Sequence, residues 1–270
     1  MTSLETALDD LRSLDALATR DTDLTRRDPR AKLVATLLFI VSVVSFDRYS
    51  VAALLPLALF PTVLAVQGEV PARTLLRTLA LASPFALMVG LFNPLLDRAP
   101  MLVLAGVEVS GGWVSFASIV LRLGLTVGAS LVLIAGTGMH PLCAALARLG
   151  VPHVFTVQLL FLHRYLFVLA AEAARMDTAR QLRAGSHPRP SLAVHASLLG
   201  HLLLRAFERA QRIHGAMLAR GFDGELRLAH AWRWQMADTT FVVGWCAFFI
   251  AVRWVDWPQA IGRLFAGAVA

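Results

Sequence analysis

Two arginine-bearing stretches decide how this sequence is read: Ala179-Arg180-Gln181-Leu182-Arg183-Ala184-Gly185 and Ala216-Met217-Leu218-Ala219-Arg220-Gly221-Phe222. Between them lies Ser186-His187-Pro188-Arg189-Pro190, whose two prolines separate one helix from the next. Downstream of that break, Ser191 offers an N-cap hydroxyl. Leu192, Leu199, Leu202, Ala206, Ala210, Ile213 and Met217 then recur at spacings of three, four or seven and predict one apolar stripe on a long helix. Glu208 and Arg212 stand four apart on a more polar face. Arg220 follows Met217 by three and emerges on the side of the stripe, and Gly221 ends the helix because it tolerates a positive φ. A guanidinium is thereby expected at the tip of a packed helix.

Composition sets the surroundings. Of 270 residues, 57% are hydrophobic and 16% charged, and the mean hydropathy is +0.65. Ordinary soluble domains are about 45–50% apolar, so the chain reads as an integral membrane protein. The net charge of +7 and pI of 10.8 are better explained by cytoplasmic flanks than by nucleic acid, because the arginines are not interleaved with stacking aromatics.

Residues 1–30 are polar and lack the order of a cleavable signal peptide. Leu4, Leu11, Leu14 and Leu17 fit a short amphipathic helix on the bilayer or on another subunit, with a flexible tail as the alternative. Arg26, Arg27, Arg30 and Lys32 mark a cytoplasmic flank. Four spans are expected within residues 31–136: Leu33 to Phe46, Val51 to Val66 with Pro56 and Pro61, Leu79 to Leu96 with Pro84 and Asn93-Pro94, and Val114 to Ala135 with Arg122 inside it. Asp97 to Trp113 reads as an outside loop with a small hairpin around Val103 to Val109. Arg122 is costly in a bilayer and is expected to face protein or snorkel.

Residues 137–236 are rich in arginine and are expected to form cytoplasmic coupling helices. His153 to Leu169 reads as the membrane-proximal start of a helix reaching Arg183, with a further crossing as the alternative. A fifth span is expected over Thr239 to Val255, within residues 237–256, followed by an outside tail, residues 257–270. The fold class is all-α: about five transmembrane helices with a cytoplasmic domain of long amphipathic helices.

Enzymatic chemistry has no signature here. Lys32 is the only lysine and does not close a phosphate-cradling loop. Neither a Gly-x-Ser-x-Gly elbow nor a His-Glu-x-x-His pair occurs. Cys143 and Cys246 lack metal-type spacing, and His187, His195, His201 and His214 do not repeat as a helical ligand face. No catalytic residue, bound metal or cofactor is assigned to the chain. Arginine, always charged and with a planar donor fork, can hold a carboxylate or a helix C-terminus of another protein. A solvated basic face or headgroup contact stays open on spacing alone.

Asp28-Pro29-Arg30-Ala31-Lys32, Asn93-Pro94-Leu95, Leu149-Gly150-Val151-Pro152, Arg164-Tyr165 and above all Ala216 to Phe222 resemble the transmembrane T components of energy-coupling factor transporters. The resemblance covers about residues 26–236 and is closest to CbiQ, the T component of cobalt uptake systems. It implies a non-catalytic scaffold in the cell inner membrane, coupling two cytoplasmic ABC ATPase subunits, which bind ATP and Mg, to a separate substrate-binding membrane subunit of the cobalt or nickel type. It also implies two Ala-Arg-Gly motifs that contact grooves on the ATPases. Ala219, Arg220 and Gly221 match the second directly. At the first, this chain has Arg183-Ala184-Gly185, with Arg183 the candidate contact and Arg180 the reserve. Met1-Thr2-Ser3 lacks the Met-His start that the resemblance associates with the cobalt-binding subunit, so metal selection is expected elsewhere. A T component for nickel or a vitamin, a stand-alone carrier and a membrane enzyme are the alternatives.

Overall fold

A computed structural model describes residues 15–47, 49–96, 100–104, 107–183, 191–224 and 232–254. These are helical apart from one short hairpin, and the protein is an all-α membrane protein. The described residues fall into two compact units, one drawn from 15–138 and 232–254, the other from 139–224.

In the first unit a short helix α1 (Asp23–Arg26) is capped reciprocally by Thr22 and Thr25. The Asp28 carboxylate caps α2 (Pro29–Ser45) by accepting from the Arg30 N–H, with Pro29 pre-set for the first turn. The expected second span is broken into α3 (Val51–Leu54), a 3-10 turn (Pro56–Ala58) and α4 (Leu59–Gln67). Pro56 supplies the physical reason, since it has no N–H to continue the ladder and opens the tighter turn instead. α5 (Ala72–Leu96) begins seven residues before the expected span and bends by 55° between Ala72–Pro84 and Ala86–Pro94.

The hairpin expected between the third and fourth spans is present. Strand β1 (Pro100–Leu104) pairs antiparallel with β2 (Val107–Ser110), with Val103 opposite Glu108. Next comes α6 (Gly111–Thr137), which packs closely on α5: a Cβ at Gly90 would lie 2.8 Å from Phe116. The last helix of this unit, α10 (Met236–Trp254), joins α2 and α4 through aromatic rings. Phe39 stacks on Phe60 at 4.6 Å, and Trp245 meets Phe60 edge-on at 4.9 Å.

Arg122 has a structural partner. Its guanidinium donates to the carbonyls of Phe46 (2.9 Å) and Asp47 (2.6 Å), and its Nε to Ser118 Oγ (3.2 Å). Arg253, which sits awkwardly with the charge bias expected of an outer flank, donates to the Ser45 carbonyl at 3.0 Å and lies 5.2 Å from the Phe46 ring. Both therefore serve the C-terminal end of α2, whose last carbonyls have no partner within the helix and carry partial negative charge.

The second unit contains α7 (Met139–Arg148), α8 (His153–Arg183) and α9 (Leu192–Ala219). α7 ends in a Schellman turn. Gly150 adopts φ +96, its N–H donates to Ala147 O, and that of Val151 reaches Leu146 O. α8 and α9 run antiparallel, tied by Arg205 of α9 to Glu172 of α8.

Among the described residues, three helices are long and apolar enough to cross a membrane: α6, α8 and α10. The bent α5 makes a fourth. The first two expected spans map onto shorter pieces, the 17-residue α2 and the interrupted Val51–Gln67. By length and composition α8 meets the same criterion as α6 and α10. The amphipathic segment expected near Leu4, Leu11 and Leu14 lies outside the described residues, as does the tail after residue 256. Leu17 is buried.

Candidate partner-docking site

The second arginine stretch ends α9 in a Schellman turn. Gly221 N–H donates to Leu218 O at 3.0 Å and Phe222 N–H to Met217 O at 3.0 Å, while Gly221 adopts φ +79. Met217 and Phe222 line one apolar groove, which supplies the hydrophobic contact that such turns carry. Arg220 is the C-cap residue, with φ −97 and ψ 9. It is exposed, and its side chain forms no hydrogen bond or ion pair among the described residues. Ala219 beside it is exposed as well. The backbone of this tip is thus fixed by two hydrogen bonds and a glycine, while its cation stays unspent.

At the first stretch the two arginines are not equivalent. Arg180 pairs with Asp177 one turn earlier at 2.8 Å, and only 16% of its side chain is exposed. Gln181 donates to the other Asp177 oxygen at 2.6 Å. The hydrogen bond from Arg180 holds the Asp177 carboxyl below the usual carboxylate range. Arg183 is the last residue of α8, is exposed, and has no side-chain partner among the described residues. Ala184 and Gly185 lie outside the described residues.

The stripe expected along α9 is rotated. Leu198, Leu202, Ala206, Arg209, Ile213 and Met217 are half-buried, at spacings of 4, 4, 3, 4 and 4, whereas Leu192, Leu199 and Ala210 are exposed. The physical reason is angular: at about 100° per residue, Leu192, Leu199 and Ala210 lie roughly 50–70° to one side of the centre of the half-buried row, at the edge of the face that meets α8. No residue of α9 is fully buried, so its packing on α8 is one-sided. Glu172 ties the two helices together, and hydrogen bonds from Arg175 and Arg205 hold its carboxyl low. Glu208 and Arg212, 4.0 Å apart and mostly exposed, contribute little to stability.

Sequence reasoning missed a buried polar cluster around Asp28-Pro29-Arg30-Ala31-Lys32. Lys32 is 2% exposed, and its Nζ donates to Leu24 O and Gly136 O, both at 3.1 Å. Asp238, also buried, accepts from Asp28 N–H at 3.1 Å and from Gln235 N–H at 2.9 Å. Arg27 donates to Ala237 O and lies 4.7 Å from the Phe241 ring. The starts of α2 and α10 and the end of α6 are joined here. Read along the chain, these charges look like a cytoplasmic flank, because their partners are far away in sequence. Among the described residues, no three His, Cys, Asp or Glu side chains converge as a metal site.

Residues 21–230 match the profile of the CbiQ family, described as a cobalt transport protein. The chain belongs to that family. The matched range takes in the buried cluster's N-terminal half and both arginine stretches. Among curated relatives, the cobalt transport protein CbiQ of Rhodobacter capsulatus is 34% identical over 113 residues, which is 42% of this chain and 46% of the relative. An uncharacterized protein of Methanocaldococcus jannaschii is 30% identical over 93 residues, 34% of this chain and 35% of the relative. The cobalt transport protein CbiQ of Salmonella typhimurium is 29% identical over 160 residues, 55% of this chain and 71% of the relative. The chain thus spans less than half the length of the first two.

Proposed function

We propose that this chain is the transmembrane T component of an energy-coupling factor importer for cobalt ions, seated in the cell inner membrane. The observation that carries this reading is the α9 tip, where a Schellman turn and Gly221 present Arg220 with its charge uncommitted. Arg183 at the end of α8 is the companion contact. Each guanidinium docks into a groove of one of two cytoplasmic ABC ATPase subunits, which bind ATP and Mg themselves. Arg180 is the weaker candidate, because engaging a partner would mean giving up its pair with Asp177.

Closure of the ATPase pair on ATP changes the separation of the two tips. At 1.5 Å per residue, α8 and α9 are rods of about 46 and 42 Å. The Glu172–Arg205 ion pair is a contact that crosses from one to the other. Their motion is passed to the membrane helices and reorients a separate substrate-binding membrane subunit of the cobalt or nickel type. The chain itself performs no bond chemistry and holds neither nucleotide nor metal.

Replacing both Arg183 and Arg220 by alanine tests this. The expected result is loss of ATPase co-purification and of ATP-dependent cobalt uptake, with membrane insertion unchanged. Retained co-purification and uptake in the double variant would falsify the docking assignment. Preferential uptake of nickel or a vitamin by the intact complex would leave the coupling role in place and change only the substrate.

A further inference from the structure

Between α8 and α9 lies a groove of about 470 Å³ whose walls are mostly apolar, among them Phe161 and Leu169 on α8 and Leu203 and Phe207 on α9. Its polar lining consists of Gln158, Tyr165, Arg209 and His214, with no carboxylate. Arg209 is the unusual member. It is half-buried on the groove wall, and among the described residues its guanidinium has neither a hydrogen bond nor an ion pair. The groove therefore presents an unpaired cation on a mostly apolar wall, where an anion would find charge-assisted hydrogen bonds.

We propose that the groove binds an anionic phospholipid of the surrounding bilayer, its acyl chain lying between α8 and α9 and its phosphate paired with Arg209. Three observations converge on this occupant. The groove is mostly apolar and of the size that takes a small ligand, which suits a hydrocarbon chain. The helix that forms one wall, α8, is apolar enough to sit in or against a bilayer, and little of its apolar stretch is covered within the protein. The polar lining offers a cation and neutral groups but no anion, which favours phosphate and gives a choline-type headgroup's positive charge nothing to pair with. This inference does not depend on the ATPase-docking reading, because it concerns a different residue and a different ligand.

The test has two arms on the full chain. In the first, the purified protein is titrated by native mass spectrometry with phosphatidylglycerol and with phosphatidylcholine. The expected preference for phosphatidylglycerol is about fivefold, equivalent to the ~1 kcal/mol of one basic residue at an anionic surface. The preference should vanish in Arg209→Gln and persist in Arg209→Lys, which keeps the charge. In the second arm, a benzophenone amino acid replaces Phe207 and is irradiated in native membranes; the expected adduct carries the mass of a phospholipid. Equal binding of the two lipids, a preference unaltered by Arg209→Gln, or an adduct to protein in place of lipid would each overturn the proposal.

Discussion

At the residue scale, Arg220 and Gly221 divide one task. The arginine supplies charge, and the glycine supplies a backbone that aims it. Nothing lies within 4 Å of a Cβ added at Gly221, so an alanine there meets no steric clash, yet φ +79 imposes the left-handed cost of about 1–2 kcal/mol. Gly221→Ala is therefore expected to lower unfolding stability modestly and to weaken partner attachment while leaving the helix content, read by circular dichroism, intact. Arg220→Ala should show the reverse balance, with attachment lost at unchanged stability. A second residue-scale prediction concerns Cys143, which is 1% exposed and whose thiol burial pushes up to about 11. The thiolate is the nucleophile, so at neutral pH Cys143 should be inert to maleimide in the folded protein and react fully only in denaturant. Rapid labelling under native conditions would contradict the packing of α7.

At the element scale, the polar cluster at the start of α2 controls how helices meet. Lys32 donates to two carbonyls on different helices, and a Cβ at Gly136 would fall only 2.3 Å from Leu24 Cδ2. Lys32→Met removes both donors and leaves buried acceptors unpaired, at a cost of about 1–3 kcal/mol. Gly136→Ala overpacks the same junction by a similar amount, about 1–3 kcal/mol. Because the two changes strike one junction, the double variant should lose less than the sum in a thermal-unfolding cycle. How much of this was legible follows from range. Ser191 and Gly221 act on neighbours a few residues away, so the N-cap of α9 and its terminating turn follow from local chemistry, whereas the break at Pro56 departs from the continuous span expected there. The rotation of the α9 stripe depends on where α8 lies, and the burial of Lys32 depends on Gly136, 104 residues distant. Neither is written in local periodicity. Arg122 was intermediate: its cost in a bilayer announces a protein partner, but only the fold shows that the partner is the end of α2.

At the scale of the whole molecule, the topology turns on where α8 begins and ends. The helix has 31 residues, about 46 Å, and a hydrocarbon core needs about 20 residues, so length permits a crossing. Charge argues otherwise. Arg148 precedes α8, Arg164 interrupts its apolar half, and Arg175, Arg180 and Arg183 follow, so a crossing would bury one arginine and leave others on the far side against the positive-inside bias. Both ends are therefore expected on the cytoplasmic face, and the exposed residues Leu149 and Leu182 provide the probes. With Cys143 and Cys246 changed to serine, Leu149→Cys and Leu182→Cys should both react with a membrane-impermeant maleimide in inside-out vesicles, and neither should react in intact cells with an opened outer barrier. Labelling from opposite sides would make α8 a crossing helix. It would also put Arg183 on the face opposite Arg148 and opposite Arg220, whose helix end lies beside the start of α8. Docking of Arg183 and Arg220 onto one pair of cytoplasmic partners therefore requires that both positions label from that face.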